Sequence, residues 1–178
     1  MSLLNIVKVP DHRLRLQSKP ILQITDEIKK LAGDMAETMY AEPGIGLAAI
    51  QVGKPIQMIV VDPTAGEEPD GLMTMINPRI VECSKKIKSE EGCLSVPGVK
   101  ATIERYDKIV VEYIDLEGQG MTLEAEGLLA VVIQHETDHC NGKIFIDRLP
   151  AKERAKQLQK SIEFQREERA AEAKKAAK

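Results

Sequence analysis

The segment GLLAVVIQHETDHCNG, residues 127–142, constrains this chain more than any other. Its first half is almost wholly apolar and reads as a buried helix, with Asn141-Gly142 at its C-terminal end. Its second half sets His135, Glu136, Asp138 and His139 on the same helix. Polar side chains in such a place are costly unless they are bound to something. The fold must therefore bring partners to them.

His-Glu-x-x-His is a signature of metal hydrolases. Four residues of helix set two imidazoles about 40° apart in angle and ~6 Å in rise, so both reach one ion. Glu136 lies about 100° from His135 and about 60° from His139. That is beside the metal face, close enough to take a proton from water without ligating the ion. Leu128, Val131 and Val132 cover the same face one and two turns earlier. An aliphatic wall there suits a substrate with an apolar side chain.

The third ligand is open on this reading. In one large protease group the signature runs on to a third histidine. Gly142 matches that group's glycine, but the ligand position is Phe145. His12, the remaining histidine, lies in a Pro-Asp-His-Arg loop. Glu153 or Glu163, downstream, would complete the site of a zinc endopeptidase. Cys93, in SEEGCLSVPG, would complete it as a thiolate. The bland alternative for Cys93 is a small buried residue, and Cys83 and Cys140 are assigned to that role.

A chain of 178 residues suits one domain with a real core. Aromatic residues make up only 3%, so that core has to be aliphatic. Three cysteines without paired spacing argue against a disulfide scaffold. No apolar run approaches a membrane span, and a reducing cytoplasm is expected. The net charge of −3 gives no overall drive toward nucleic acid or anionic membrane. Residues 151–178 differ, with nine Lys/Arg against five Asp/Glu. They read as a solvated basic helix, or as a weak electrostatic contact for a partner.

Thr25 caps an expected helix over 26–41, with Asp26 and Glu27 in its first turn. Residues 43–53 read as a Gly-rich apolar loop, 56–62 as a strand and 63–71 as a polar turn. Residues 72–83 read as a strand interrupted at Asn77-Pro78, and 85–98 as a mixed segment. The stretches 108–118 and 121–127 form a hairpin, and 151–176 a long terminal helix. The expected class is α+β, with antiparallel strands packed around a central HExxH helix and a long C-terminal helix. Residues 1–150 would form a single catalytic domain, with 151–178 as its helical extension.

Three segments, GIGLAAIQ (44–51), EGCLS (91–95) and HETDH (135–139), resemble the three motifs of the bacterial-type, iron- or zinc-dependent peptide deformylases, in the family's order. PDHRLR (10–15) and INPRI (76–80) add to the likeness. The resemblance implies that Cys93, His135 and His139 bind a divalent metal. Fe²⁺ would be native, with Zn²⁺, Ni²⁺ or Co²⁺ able to substitute. It implies Glu136 as general base and then acid, and the Gln51 amide and Leu94 N–H as oxyanion donors. The implied reaction removes the formyl group from formyl-methionyl nascent polypeptides and releases formate. The peptide would add as a strand along Ile45, Gly46 and the residues near Val96 and Pro97. The methionine side chain would meet Leu128, Val131 and Val132. Glu91 is left as either an orienting group or a surface acid. Ser89 and Lys100 depart from the family, which often has an apolar residue and an arginine there. The terminal helix would dock near the ribosomal exit through Lys152, Arg154, Lys156 and Lys160. A monomer without membrane contact is expected.

Overall fold

Thr25 is extended, at φ −90° and ψ 169°, and its side chain accepts a hydrogen bond from the Ile28 N–H. That bond starts helix α1 (Asp26–Ala41) in the computed structural model, which describes residues 3–176. Both ends of the expected domain assignment, residues 1–2 and 177–178, lie outside the described residues. Seven strands follow α1: β1 (Gly46–Ala48), β2 (Met58–Val61), β3 (Met73–Cys83), β4 (Lys86–Cys93), β5 (Val96–Tyr106), β6 (Lys108–Ile114) and β7 (Gly120–Glu126). Helix α2 (Gly127–Cys140) and helix α3 (Ala151–Ala176) complete the chain.

Five strands form one antiparallel sheet in the order β1-β2-β3-β6-β7, and β4 pairs with β5 in a separate two-stranded sheet. The MIVV run of β2 is apolar at every position because both its faces are buried. Ile59 and Val61 join Ala130, Val132 and Ile133 of α2 in one core cluster. Met58 and Val60 join Met35 and Met39 of α1 in another. A third cluster packs Val96, Val99, Ala101 and Ile103 of β5 against Phe145 and Ile146, with Leu158 of α3 at its edge.

The chain is thus mixed helix and antiparallel strand with a C-terminal helix, as the sequence pattern indicates. Three expectations need correcting. Residues 85–98 are not a mixed segment but the greater part of the β4–β5 hairpin, which runs on to Tyr106. The Gly-rich stretch 43–53 contains β1 and a 3-10 turn over Ala49–Val52. Cys83 is exposed at the end of β3 rather than buried, whereas Cys140 does lie in the core. No helix among the described residues is long and apolar enough to cross a membrane.

The break at Asn77-Pro78 has a physical role. The β3–β6 register shifts between Ile76 and Arg79, and Asn77 sits at φ 52°. Its amide is thereby turned onto the N-terminal segment. Oδ1 accepts from Ile21 N–H at 2.8 Å and Nδ2 donates to Ile21 C=O at 2.8 Å. Asn77→Ala removes both bonds and puts at φ 52° a residue that tolerates the left-handed region less well than asparagine. It should cost about 1–3 kcal/mol in chemical denaturation. A loss below about 0.5 kcal/mol, the level of an ordinary surface change, would contradict this role.

Candidate metal centre and active site

Helix α2 delivers two imidazoles to one point, and the end of β4 delivers a thiol to the same point. Nε2 of His139 lies 3.2 Å from Nε2 of His135 and 3.3 Å from Sγ of Cys93. All three donor atoms fall within 4.8 Å of one another. Four ligands around an ion at bond lengths of about 2.0–2.3 Å stand roughly 3.3–3.7 Å apart, so this group fits a small divalent cation. The donor chemistry fits as well, because thiolate and imidazole suit first-row divalent metals. Glu153 and Glu163, the downstream alternatives, are exposed on α3 and take no part in the group.

The tautomer of His135 is set by its neighbour. Glu91 is buried at 6% exposure, and its Oε2 lies 2.8 Å from His135 Nδ1. Burial alone would raise the Glu91 pKa. Hydrogen bonds from Arg105 and His135 outweigh it and hold the carboxyl at about 2. An ionised carboxylate only accepts, so His135 donates from Nδ1 and turns the Nε2 lone pair to the metal position. Glu91 is therefore the orienting group of the two readings, not a surface acid.

Glu91 is held in turn by Arg105, a residue the sequence reading did not single out. Arg105 is fully buried and donates to both Glu91 oxygens, at 2.7 and 2.8 Å. Its third bond, at 2.6 Å, goes to Asp138 of α2. Asp138 also receives two bonds from Arg148, both at 2.7 Å. The available signal was parity: Ala101, Ile103 and Arg105 fall on one face of β5, and that face is buried.

Glu136 has the opposite environment. Its Oε2 is buried without a hydrogen-bond partner among the described residues, and burial pushes the carboxyl up to about 7. Gly46 backs it closely. A β-carbon at Gly46 would stand 2.5 Å from Glu136 Oε1 and 2.8 Å from Val132 Cγ1, so β1 approaches α2 as only glycine permits. Gln51 is fixed by its neighbours. Ala48 N–H donates to Oε1 at 2.8 Å, which leaves Nε2 facing Ser95 Oγ at 3.1 Å and Cys93 Sγ at 3.6 Å.

These groups border one cavity of about 750 Å³. Ile45, Gly46, Gln51, Leu94 and Val96 line it together with Cys93, His135 and Glu136. Val131 and Val132 supply an apolar side. Leu128 lines it too but is 53% exposed, so it stands at the open rim rather than within a wall. His139 is buried behind the lining and reaches the site through Nε2. Ser89 and Lys100 both border the cavity, and Lys100 lies 3.7 Å from Glu90.

A Cys-His-His donor group with a buried carboxylate beside it, opening on a partly apolar cavity, defines a metal-dependent hydrolase. A family model described as polypeptide deformylase matches residues 3–155. The peptide deformylase of Acinetobacter baumannii (strain SDF) is 50% identical over 170 residues, which cover 94% of this chain and 96% of that protein. That of Nitrosococcus oceani is 46% identical over 166 residues, covering 93% and 98%. The crystal structure of a peptide deformylase from Legionella pneumophila superposes with a TM-score of 0.89 at 37% identity, covering 93% of this chain and 97% of that one. The chain belongs to the polypeptide deformylase family.

Without metal, the His135 pKa is raised well above its usual value: burial lowers it, but hydrogen bonds to Cys93 and Glu91 outweigh burial. A cation must displace that proton to reach Nε2. Metal affinity should therefore rise with pH across the neutral range, with protons released on binding. Competition titrations against a chromophoric chelator at two pH values measure it, and equal affinity at both would refute it.

Proposed function

We propose that the protein hydrolyses the formyl amide of formyl-methionyl nascent polypeptides, releasing formate and a free N-terminal amine. The observation that carries this reading is the convergence of Cys93, His135 and His139 beside buried Glu136, in a chain of the deformylase family. Cys93, His135 and His139 would hold the ion, with Fe²⁺ as resident and Zn²⁺, Ni²⁺ or Co²⁺ as substitutes. When bound, it polarises the formyl carbonyl and makes water nucleophilic near neutral pH.

The chain's own residues supply the rest. Glu136 takes the proton of the attacking water at Oε2 and passes it to the departing amine nitrogen. The Gln51 amide and the Leu94 N–H face the charge that develops on the formyl oxygen. Gln51 is suited to this because its amide is already oriented by Ala48. The substrate backbone lies along Ile45 and Gly46 on one side and Val96 on the other. Its methionine side chain packs on Val131, Val132 and Leu128. In this reading α2 is the element around which the antiparallel strands are organised. Residues 1–150 form one catalytic domain, and 151–178 extend it.

A monomer working in the cytoplasm beside the ribosomal exit fits the same reading. The cations Lys152, Arg154, Lys156 and Lys160 in the first turns of α3 offer the contact, with the three lysines on one side of the helix. Reversing Lys152, Lys156 and Lys160 to Glu should weaken ribosome cosedimentation, and added salt should weaken the wild type. Salt-independent binding would rule this contact out.

The main test is formate release from formyl-Met-Ala-Ser by protein purified without oxygen, with metal content measured on the same sample. Glu136→Ala should retain metal and lose at least about 10²-fold in kcat. Cys93→Ser should lose both metal and activity. A folded, metal-loaded wild type that releases no formate would overturn the assignment.

A further inference from the structure

The β4–β5 ladder is interrupted where it borders the cavity. Cys93 stands opposite Val96, and the next pair is Gly92 with Lys100. Pro97, Gly98 and Val99 therefore have no partner in β4. Gly98 sits at φ 72°, and Val96, Gly98 and Val99 all line the cavity. A bulge of this kind takes its shape from whatever packs behind it.

What packs behind it is α3. Ser161 is fully buried in that helix, and its hydroxyl donates to the Pro97 carbonyl at 2.8 Å. A serine inside a helix ordinarily turns its hydroxyl to solvent or back to its own backbone. Here the hydroxyl holds a carbonyl that the ladder leaves free. One turn on, Phe164 covers Gly98 so closely that a β-carbon there would overlap the ring. Gln165, also buried, donates to the Val9 carbonyl at 2.8 Å, and the Val9 N–H donates to the Ser95 carbonyl at 2.9 Å. The turn that carries Leu94 and the bulge that follows it are both tied to one helix.

We infer that α3 sets the shape of the peptide-binding edge, with Ser161 and Phe164 as positioning residues that hold Pro97 and Gly98 for the substrate backbone. The inference rests on the deformylase reading and adds a specific role for the terminal helix within it. Neither residue lines the cavity, so both act through the bulge. A bulge that is not held in advance has to be ordered by the substrate, and that cost falls on binding rather than on the chemical step. Only substrates long enough to reach the bulge should feel it.

The experiment is steady-state kinetics of wild type, Ser161→Ala and Phe164→Ala with formyl-Met-Ala-Ser and with formyl-Met amide, which ends before the bulge. Each variant should raise KM for the tripeptide about 3- to 10-fold, with kcat and the amide's kcat/KM within about twofold of wild type. Phe164 is part-exposed, so its variant decides the matter if Ser161→Ala does not fold. Unchanged tripeptide KM in a folded variant would overturn the inference. So would an equal loss on both substrates that follows the metal lost from the sample, because that pattern marks a purely structural role. Wild type inactive on both substrates would remove the deformylase reading and this inference with it. Wild-type turnover without the split removes only the role of α3.

Discussion

The guanidinium of Arg105, buried between two carboxylates, is the contact on which the rest of the site depends. The β4–β5 hairpin belongs to a separate sheet, and two strands alone are marginal in water. An apolar cluster around Phe145 and a set of hydrogen bonds attach it to the body; among the bonds to α2, Gln134 pairs with both backbone groups of Tyr106, and Arg105 reaches from Glu91 on β4 to Asp138. Apolar packing places the hairpin without fixing its register against the helix. Three directional bonds from one rigid fork, together with the two bonds between Gln134 and the Tyr106 backbone, do fix it. The metal group straddles this joint, with Cys93 on the hairpin and both histidines on α2. The ion pair that aligns the two pieces also aligns the ligands. Removing one partner from such a pair typically costs about 3–5 kcal/mol, because it leaves an uncompensated buried charge.

Two buried glutamates close to the same histidine show how environment divides the work. Glu91 has Arg105 and His135 as partners and is held at about 2. Glu136 has no partner at Oε2 and is raised to about 7 by burial. A fold that gives every other acid near the site a cation and leaves one without has accepted instability at that position. In the proposed reaction this is the group that moves the proton.

The legible parts of the sequence were those whose signal is local. The two histidines and Glu136 follow from helical spacing alone, and the caps of α1 and α2 follow from Thr25 and from Asn141-Gly142. The break in β3 was visible in Asn77-Pro78, though its purpose, holding Ile21, was not. The β4–β5 hairpin was missed because polar residues stand on its inward face, Ser89 and Glu91 on β4 and Arg105 on β5, where apolar ones would have marked the alternation. Missing the hairpin hid Arg105, since its burial depends on strand parity. Glu91 could not be settled from sequence because its state is decided by Arg105, fourteen residues away and across the ladder. Cys83 was misread for a simpler reason: its residue type is usually buried, but it ends a strand that runs out into solvent.

The two ends of the cavity are built on different principles. At the metal end, side-chain ion pairs fix the geometry, and the residues involved fall into short recognisable segments. At the end where the peptide is proposed to bind, the geometry is carried by backbone that lacks ladder partners over Pro97–Val99, supported by a helix residue 64 positions downstream of Pro97. Backbone shape leaves little trace in a motif, so on the proposed reading the determinants of peptide fit are scattered: Gly98 for its conformation, Ser161 for its hydroxyl, Phe164 for its ring. Ser89 and Lys100 both line the cavity, and neither belongs to the Cys93, His135 and His139 group. A site arranged in this way can change the peptides it accepts through substitutions in the hairpin and α3, while Cys93, His135, His139 and Glu136 stay in place.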